Sequence, residues 1–521
     1  MNEGPARACA PGLLAPQWRM SDPSLQRTAG FWRQRAGALA PRGRALINGS
    51  WVEAFDGATF ECLSPIDGRR LATVAACGEA DIAAAVSSAR AAFARGDWAG
   101  QSPADRKGVL LRFAGLIEGA IEELALLETL DTGKPIADSL AVDVPSTARC
   151  IRWYAEAVDK IYGEVAPTDR DTLALVTREP VGVVGAIVPW NFPMIMAAWK
   201  IGPVLAAGNS LVLKPSEKSP LTALRLGELA LEAGLPPGVF NVVPGLGGVA
   251  GKALALHADV DAIAFTGSTA TGRLIMQYAG QSNLKRVSLE CGGKSPNIVM
   301  GDYPDLKRAA RAAAAGIFFN QGEMCSAGSR LLVQESVREP LLEEIAQVAR
   351  AMAPGDPLDP ATRLGALVDE AQTQRVLGYI EAGSAEGARL VFGGRRVRDD
   401  SGGCYVEPTL FDGVRQDMRI AREEIFGPVL SVLGFDTLED AVRIGNATPF
   451  GLAAAVWTRD IGAAHRAARA LRAGVVYVNC YDADDITVPF GGYRESGFGR
   501  DKSLHAFDKY TELKTTWIDL G

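Results

Sequence analysis

Two segments of the chain carry side chains that could do covalent chemistry. Cys325 lies in FFNQGEMCSAGSR (318–330) among small and polar residues, and a thiolate there would attack a carbonyl carbon readily. Glu290 lies in SLECGGKSPNIV (288–299) at the end of an apolar run, before two glycines, which suits a general base. The alternatives are a small core cysteine and a buried ion pair between Glu290 and Lys294. The chain has only three histidines, so we do not expect the base for Cys325 to be histidine.

Glycine-rich turns after apolar runs are the candidates for cofactor binding. AFTGSTATG (264–272) places Ser268 where it can cap a helix, and a helix N-terminus binds phosphate through its N–H groups. A plain helix cap explains this segment equally well. GLGGVAG (245–251) is only a weak match to the dinucleotide fingerprint, because no acidic residue closes the unit. Lys214 and Glu217 could bind the hydroxyls of a ribose or form a solvated turn.

The elements that must position these residues alternate between strands and helices. Short β-branched runs such as VGVVGAIVP (181–189) and SLVLKPS (210–216) flank helical runs such as MIMAAWKIGPVLAAG (194–208). This alternation continues to about residue 280 and predicts a parallel, doubly wound α/β sheet. Such sheets bind ligands at the carboxyl ends of their strands. The loops that follow the strands are therefore the expected site.

Composition and charge exclude several classes of function. With 521 residues, 48% hydrophobic and 22% charged, the chain fits a soluble enzyme of two or three domains. Its 54 basic and 61 acidic residues leave a net charge of −7, which argues against nucleic-acid binding. No apolar run approaches a bilayer span, and no signal peptide is expected. Eight scattered cysteines and few histidines predict reduced thiols in the cytoplasm and no metal site.

Seven motifs occur in a fixed order and together resemble the aldehyde dehydrogenase superfamily from about residue 45 to the C-terminus. They are VPWNFP (188–193), LKPSE (213–217), FTGST (265–269), LECGGKSP (289–296), NQGEMCSAGSR (320–330), EEIFGPV (423–429) and PFGGYRESGFGRD (489–501). Other segments most resemble the gamma-glutamyl-gamma-aminobutyraldehyde and guanidinobutyraldehyde dehydrogenases of polyamine, putrescine or arginine breakdown. These segments are RWYAEAVDKIYGEVAPT (152–168), KPSEKSPL (214–221) and GRDKSLHAFDKYTELKTTWI (499–518).

The resemblance implies roles for three catalytic residues. Cys325 is expected to attack the aldehyde and form a thiohemiacetal. The side-chain amide of Asn191 and the backbone N–H of Cys325 are expected to stabilise the alkoxide. After hydride transfer to a nicotinamide, Glu290 is expected to activate water that hydrolyses the thioester, and it can also help to deprotonate Cys325.

The resemblance also implies a site for NAD. The candidate cofactor-binding residues are Ile187, Val188, Pro189, Trp190, Lys214, Glu217, Gly247, Phe265, Gly267, Ser268, Cys291, Glu424 and Phe426. Lys214 and Glu217 are expected at the adenosine ribose, Ser268 at the pyrophosphate, Glu424 at the nicotinamide ribose and Phe426 near its ring. Gly247 is expected beside the adenine and not as a phosphate cradle.

Two features of this site stay open. Glu217 favours NAD because a carboxylate repels a 2′-phosphate, but Lys214 and Lys218 leave NADP use open. Cys291 stands where relatives often have Leu or Ala. It is expected either to pack near the nicotinamide or to pair with Cys325 under oxidation.

The preferred aldehyde is expected to depend on the loop NCYDADDITV (479–488). Its acids, with Asp485 among them, could attract an ammonium or guanidinium group; alternatively, they face solvent or bind backbone turns. The candidate substrate-binding residues are Asp143, Trp199, Asp482, Asp484 and Phe490. These residues predict an amino- or guanidino-type aldehyde, and a general aliphatic or betaine aldehyde dehydrogenase is the alternative.

Two other classes fit the sequence less well. A CoA-acylating dehydrogenase usually lacks the base that Glu290 would provide. A non-catalytic relative would be expected to lose Cys325, Glu290 or Asn191, and all three are present.

The fold class implied by the resemblance is α/β, with a Rossmann-like cofactor domain, an α/β catalytic domain and a small β oligomerisation segment. The expected boundaries are an N-terminal tail at 1–29, a cofactor domain at 30–157 and 181–291, a catalytic domain at 292–495, and an oligomerisation segment at 158–180 and 496–521. A homotetramer or homodimer is implied.

Overall fold

The computed structural model describes residues 27–521. Most of the predicted N-terminal tail, 1–29, therefore lies outside the described residues. The first helix begins at Ala29, and Thr28 caps it by accepting a hydrogen bond from the backbone N–H of Phe31.

The helices frame two large sheets. In chain order they are α1 Ala29–Ala38, α2 Glu79–Arg95, α3 Pro103–Gly119, α4 Ile121–Thr132, α5 Ile136–Asp138, α6 Val144–Ala157, α7 Pro193–Ala206, α8 Leu221–Glu232, α9 Lys252–Leu256, α10 Thr269–Gln281, α11 Leu306–Phe318, α12 Arg338–Arg350, α13 Glu370–Ala385, α14 Arg419–Arg422, α15 Leu438–Asn446 and α16 Ile461–Ala470. Among the helices of residues 27–521, none combines the length and apolar character needed to cross a bilayer.

The strands are short and mostly buried. In chain order they are β1 Ala45–Ile47, β2 Ser50–Val52, β3 Thr59–Leu63, β4 Arg70–Ala75, β5 Glu164–Ala166, β6 Thr172–Pro180, β7 Val183–Ile187, β8 Ser210–Lys214, β9 Phe240–Val242, β10 Ala262–Gly267, β11 Arg286–Cys291, β12 Pro296–Val299, β13 Arg330–Gln334, β14 Arg389–Phe392, β15 Arg396–Val397, β16 Tyr405–Val406, β17 Thr409–Asp412, β18 Val429–Phe435, β19 Ala453–Trp457, β20 Val475–Val478, β21 Gly497–Phe498 and β22 Thr511–Asp519.

The first sheet confirms the predicted strand–helix alternation. Its eight strands lie in the order β2-β1-β9-β8-β7-β10-β11-β21, and the five from β9 to β11 are mutually parallel. From β7 the chain runs outward through β8 and β9, then returns to β10 on the other side. The strand order therefore reverses between β7 and β10, and a doubly wound sheet binds ligands at such a point. The VPWNFP motif follows β7, and the FTGST motif spans the end of β10 and the start of α10.

The second sheet has seven strands in the order β14-β17-β18-β13-β12-β19-β20. All of its pairs are parallel except β14 with β17. Its strands lie within 292–495. The first sheet lies within 30–157 and 181–291 apart from β21, which joins β11 from the C-terminal segment.

A third sheet has the order β22-β6-β5. Strand β22 pairs antiparallel with β6 along its whole length, from Thr511 opposite Pro180 to Asp519 opposite Thr172. The two segments expected to form the oligomerisation unit thus meet within one chain, and Leu513 and Trp517 on β22 are exposed. The division into domains stays a prediction.

Candidate active site

Cys325 lies in a sharp loop between α11 and β13. Three successive residues, Asn320, Gln321 and Gly322, adopt positive φ angles of 48°, 56° and 73°. A Cβ atom at Gly322 would lie 2.2 Å from the carbonyl oxygen of Gly427, so only glycine fits this close approach. The turn brings Cys325 back toward the loops of the first sheet.

The surroundings of Cys325 keep its thiol protonated at rest. Burial raises the pKa of Cys325 well above its ordinary value, and the negative charges of Glu290, Glu424 and Asp482 raise it further. The backbone N–H of Ser326 acts in the opposite direction. The thiol therefore needs a nearby base before it can act as a nucleophile.

Glu290 is a buried carboxyl group whose Oε1 atom has no hydrogen-bond partner among the described residues. It lies near the carboxyl end of β11, opposite Thr266 of β10. Burial raises the pKa of Glu290 to about 8, with a contribution from the charge of Asp501. The alternative ion pair with Lys294 is not formed, because the Lys294 ammonium also lacks a partner. A group with these properties can accept a proton near neutral pH.

Glycines after Glu290 let its strand approach the Cys325 loop and Glu424. A Cβ atom at Gly293 would lie 2.9 Å from the carbonyl oxygen of Cys325. A Cβ atom at Gly292 would lie 2.1 Å from Glu424 Oε2. The double glycine is thus required by packing on two sides.

Asn191 lies in the turn between β7 and α7, beside the Cys325 loop. Its Nδ2 atom donates to the backbone oxygen of Glu323 at 2.9 Å, and Asn320 Nδ2 donates to the Asn191 oxygen of the main chain at 3.0 Å. A side-chain amide has two N–H bonds. One therefore orients Asn191 while the other is free to donate to a ligand.

Lys214 and Glu217 meet beyond the carboxyl end of β8. Lys214 Nζ lies 2.9 Å from Glu217 Oε2, and the backbone N–H of Gly247 donates to Glu217 Oε1 at 3.3 Å. Burial lowers the pKa of Lys214. Lys218 forms a separate ion pair with Asp369 at 2.6 Å. Lys214, Glu217 and the turn at Gly247 thus adjoin, and their role at an adenosine stays a prediction.

The segment after β10 has the geometry of a phosphate site. Ser268 caps α10, and its Oγ atom accepts from the backbone N–H of Thr271 at 3.2 Å. Phe265 and Gly267 lie on β10, with the Phe265 ring folded over Gly267. The first turn of α10 therefore keeps N–H groups available to an anion.

Cys291 lies beside Gly267 across the β10–β11 pair, and its sulfur packs against Gly272 of α10. Burial raises the pKa of Cys291 to about 12. These contacts favour the packing interpretation over a redox partner for Cys325.

Glu424 and Phe426 complete the candidate cofactor site from the second sheet's side. Glu424 Oε1 accepts from the backbone N–H of Gly293 at 3.0 Å, and burial raises the pKa of Glu424 to about 7. Phe426 has a φ of 61° and meets Trp190 edge-on at 5.2 Å. Ile187 is the buried last residue of β7, and the buried Val188 and partly buried Pro189 follow it. The close approach at Gly292 and Gly293, the N-terminus of α10 and the Lys214–Glu217 pair together fit a dinucleotide.

Aromatic rings line the side of the site near Asn191. Trp199 and Phe490 lie 5.3 Å apart between ring centroids, and Phe192 stacks on Phe319 at 6.1 Å. Trp199 and Phe490 were predicted, whereas Phe192 and Phe319 were not. Phe192 directly follows Asn191 in the sequence, and Phe319 directly precedes Asn320. This proximity to candidate site residues is the signal that could have identified both rings.

The three acids of the 479–488 loop differ in their partners. Ser326 Oγ donates to Asp482 at 3.4 Å, and burial raises the pKa of Asp482 to about 7. Asp484 is ion-paired with Lys502. Asp485 accepts from the backbone N–H of Thr487 at 2.9 Å. The loop therefore presents no row of three free carboxylates, and the interpretation that they bind backbone turns holds for Asp485.

The prediction that Asp143 lines the substrate entrance is wrong. Asp143 has no exposed surface, and Lys134 Nζ lies 2.7 Å from its Oδ1 atom. Glu128 is buried beside the same ammonium at 3.7 Å. Charges in an apolar interior need a partner; the sequence shows an acid in a helical segment but does not show that this face is internal.

Sequence reasoning also missed a buried charged group near Glu290. Asp501 is ion-paired with both Lys200 and Lys509, and these two charges lower the pKa of Asp501 against the effect of burial. Lys200 is a single charge in the apolar helix α7. Such a residue needs a buried partner, and this was the signal available in the sequence.

The α/β fold, which holds Cys325 and Glu290 in adjoining loops beside a candidate dinucleotide site, indicates a class of oxidoreductase. The sequence pattern of the aldehyde dehydrogenase family matches residues 51–516. The chain belongs to this family, which confirms the resemblance, and is an NAD(P)-dependent aldehyde dehydrogenase.

Three relatives show how similar the chain is to known proteins. The NADP/NAD-dependent aldehyde dehydrogenase PuuC of Escherichia coli (strain K12) is 55% identical over 490 residues, covering 94% of this chain and 98% of PuuC. A gamma-glutamyl-gamma-aminobutyraldehyde dehydrogenase structure from Burkholderia cenocepacia J2315 is 62% identical, with a TM-score of 0.94, covering 95% of this chain and 100% of that one. A P. syringae indole-3-acetaldehyde dehydrogenase structure with NAD+ has the same identity, TM-score and coverage.

Proposed function

We propose that Cys325, Glu290 and Asn191 carry out the oxidation through a covalent intermediate. Glu290 takes the proton from the Cys325 thiol, and the thiolate attacks the aldehyde carbon. The resulting alkoxide accepts hydrogen bonds from the free N–H of Asn191 and from the backbone N–H of Cys325. NAD(P), when bound, accepts the hydride that leaves the tetrahedral carbon.

Hydrolysis then releases the acid. Glu290 first gives the thiol proton to solvent, then removes a proton from water as the oxygen attacks the thioester carbon, and the Cys325 sulfur leaves as a thiolate that takes this second proton back. The observation that carries this proposal is that Glu290 is buried with no hydrogen-bond partner for Oε1 among the described residues, while Gly293 of the same segment packs against the carbonyl oxygen of Cys325. The same carboxyl group can therefore serve both proton transfers.

Mass spectrometry of a trapped intermediate tests this proposal. Glu290→Gln, incubated with NAD and an aldehyde, should gain the mass of one acyl group on the peptide that contains Cys325. Cys325→Ala combined with Glu290→Gln should gain none. An acyl group on another residue would contradict the assignment of the nucleophile.

We infer that the natural substrate carries an amino or guanidino group. The name of the B. cenocepacia structure supports this inference, as does that of an aminoacetaldehyde dehydrogenase from Pseudomonas aeruginosa, 52% identical over 477 residues. Acids Asp482 and Asp484 near the Cys325 loop support it chemically. We further propose a cytoplasmic homotetramer or homodimer built through the β22–β6–β5 sheet.

A second candidate is an uncharged aromatic aldehyde. The P. syringae relative named for indole-3-acetaldehyde is as similar as the B. cenocepacia one. Trp199 and Phe490 offer ring faces to such a substrate. NADH formation with 4-aminobutyraldehyde, 4-guanidinobutyraldehyde and indole-3-acetaldehyde separates the two candidates by kcat/KM.

A further inference from the structure

We infer that Lys134 is a positioning residue, which holds the side-chain amide of Asn191 in place through the ring of Phe192. This inference rests on the proposed function, in which Asn191 donates to the alkoxide, and it adds a residue that acts through another residue and not on the substrate. Lys134 lies between α4 and α5, and its side chain is only 1% exposed. Lys134 and its two buried acids, Glu128 and Asp143, are here called the Lys134 cluster.

The Lys134 cluster holds an ammonium group close to an aromatic ring. Lys134 Nζ lies 2.7 Å from Asp143 Oδ1 and 3.7 Å from Glu128 Oε1, and all three side chains are buried. The same Nζ atom lies 4.2 Å from the centroid of the Phe192 ring. A cation at this distance is attracted to the face of the ring, and the attraction is larger where water is excluded. The ammonium group therefore favours one position of the Phe192 ring.

The backbone segments that carry the Lys134 cluster have unusual conformations. Asp143 ends the π-helical turn Ser139–Asp143, and such turns occur frequently at functional sites. Gly133 has a φ of 83°, and a Cβ atom there would lie 2.5 Å from the carbonyl oxygen of Ala366. Only glycine fits this close approach, so packing against this carbonyl group fixes the point from which the Lys134 side chain extends.

Phe192 connects the Lys134 cluster to Asn191. The two residues are adjacent in the turn before α7, where Phe192 has a φ of −137° and a ψ of 65°, outside the helical and strand regions. Its ring also stacks on Phe319, and its carbonyl oxygen accepts from the backbone N–H of Met196 at 2.9 Å. Because the ring and the carbonyl group of Phe192 are both held, a shift of the ring would be transmitted to the backbone of Asn191.

A second set of contacts reaches Asn191 from the same part of the chain. The carbonyl oxygen of Gly133 accepts from the backbone N–H of Ala366 at 2.9 Å. Two residues further on, the backbone N–H of Val368 donates to Glu323 Oε1 at 3.0 Å. The backbone oxygen of Glu323 accepts in turn from Asn191 Nδ2 at 2.9 Å. The residue before Lys134 and the oxygen that orients the amide are thus connected through one short stretch of chain.

The position of the Asn191 amide matters because its free N–H must meet the alkoxide oxygen. Loss of one such donor lowers the rate roughly 10²–10³-fold, and a misplacement of about 1 Å can cost on the order of 10²-fold. The alternative is that the Lys134 cluster only stabilises the fold, since a buried charge that loses its partner destabilises a protein. The two roles differ in whether the effect of Lys134 on the rate requires Asn191.

A double-mutant cycle separates the two roles. The quantity measured is the rate of NADH formation in the first turnover at saturating aldehyde. Asn191→Ala should lower this rate roughly 10²–10³-fold, and Lys134→Met should lower it roughly tenfold to a hundredfold. When Lys134→Met is added to Asn191→Ala, the further loss should be less than about threefold, because the donor that Lys134 positions is already absent.

Phe192→Leu tests the same connection while leaving the buried ion pair intact. Leucine keeps an apolar side chain but offers no ring face to the ammonium group. The rate should fall as in Lys134→Met, again without a further loss in Asn191→Ala. Phe192→Tyr keeps the ring and should restore most of the rate.

Lys285→Met is the matched control. Lys285 is also buried, and its Nζ atom donates to the carbonyl oxygen of Ala255 at 2.8 Å. It directly precedes β11, at the opposite end of this strand from Glu290. Lys285→Met should lower the melting temperature, as Lys134→Met does, but it should keep the full rate of NADH formation.

Several results would overturn the inference and leave the proposed function intact. They are a full rate in Lys134→Met, an equal loss of rate in Lys285→Met, and losses that add when Lys134→Met is combined with Asn191→Ala. If Lys134→Met does not fold, a full rate in Phe192→Leu, or losses that add with Asn191→Ala, would overturn it in the same way. A full rate in Asn191→Ala would instead contradict the proposed function, and this inference would fall with it.

Discussion

The pocket, by which we mean the buried groups Glu290 and Lys294 beside the Cys325 loop, and the outer cluster of Arg149, Asp484 and Lys502 differ in how their charges are partnered. In the pocket, Glu290 Oε1 and the Lys294 ammonium have no partner among the described residues. Burial displaces their pKa values toward neutrality, to about 8 for Glu290 and about 7 for Lys294. In the outer cluster, Asp484 has two cationic partners and is 45% exposed.

This difference separates chemistry from recognition. A buried polar group without a partner costs stability, but it can take or give a proton at neutral pH. A paired and partly hydrated group costs little and can exchange its partner for a ligand. Substitutions in the pocket should therefore change the rate of chemistry, whereas those in the outer cluster should change the choice of aldehyde.

The largest expected effect is loss of turnover in Cys325→Ala. The thiol forms the covalent bond, and the ribose and phosphate residues lie elsewhere, so NAD binding should stay near normal. Two measurements check this: the rate of NADH formation, which should fall to zero, and the NAD affinity from fluorescence titration, which should be unchanged. The control is Cys404→Ala, since Cys404 packs in the core of the second sheet and should keep turnover. More than a few per cent of activity in Cys325→Ala would remove this thiol from the mechanism.

Glu290→Gln should lower steady-state turnover by roughly 10²–10⁴-fold, the range for a lost general base. The amide cannot take a proton from water, so the acyl-enzyme should accumulate. Rapid-mixing experiments should show a first turnover of NADH that is slowed, because Glu290 also deprotonates the thiol, followed by a still slower steady phase. If steady-state turnover is unchanged in Glu290→Gln, Glu290 has a structural role only. The distinction between a region for chemistry and a region for recognition would then fail.

The effect of pH on acyl-enzyme hydrolysis should be smaller than that of Glu290→Gln, and it should arise from the titration of Glu290. Burial raises the pKa of Glu290 to about 8, and the base acts only when deprotonated. Hydrolysis of the acyl-enzyme should therefore rise about tenfold per pH unit below pH 8 and level off above it. A single-turnover profile measures this limb, and Glu290→Gln should lack it. A limb that persists in this variant would belong to another group.

The smallest effect is expected for Asp484→Asn. An exposed ion pair contributes about 0.2–1 kcal/mol, so KM for an ammonium-bearing aldehyde should rise by no more than about fivefold. Added salt should reduce the difference, and butyraldehyde should be almost unaffected. Equal changes for both aldehydes would indicate a role of the loop in folding.

The parallel sheet could be predicted from the sequence because it depends on local patterns, and the roles of Cys325, Glu290 and Asn191, which contiguous motifs imply by resemblance, stay predictions. β-branched runs and helix boundaries set β7, β8 and β10, and the motif containing Cys325 is contiguous. The loop acids were harder, because their partners are distant: Lys502 is 18 residues from Asp484. Asp143 was misplaced for the same reason, since the burial of its helix depends on packing that no local pattern reports.

The 479–488 loop is hydrogen-bonded to the residue that follows Cys325. The Tyr481 hydroxyl donates to the carbonyl oxygen of Ser326 at 2.6 Å, and its ring fills the space beside Gly316 and Gly328. Exchanging this loop for that of a relative would therefore shift the reactive sulfur as well. A change of aldehyde preference should therefore be easiest to obtain through single substitutions at exposed positions of this loop, with Tyr481 retained.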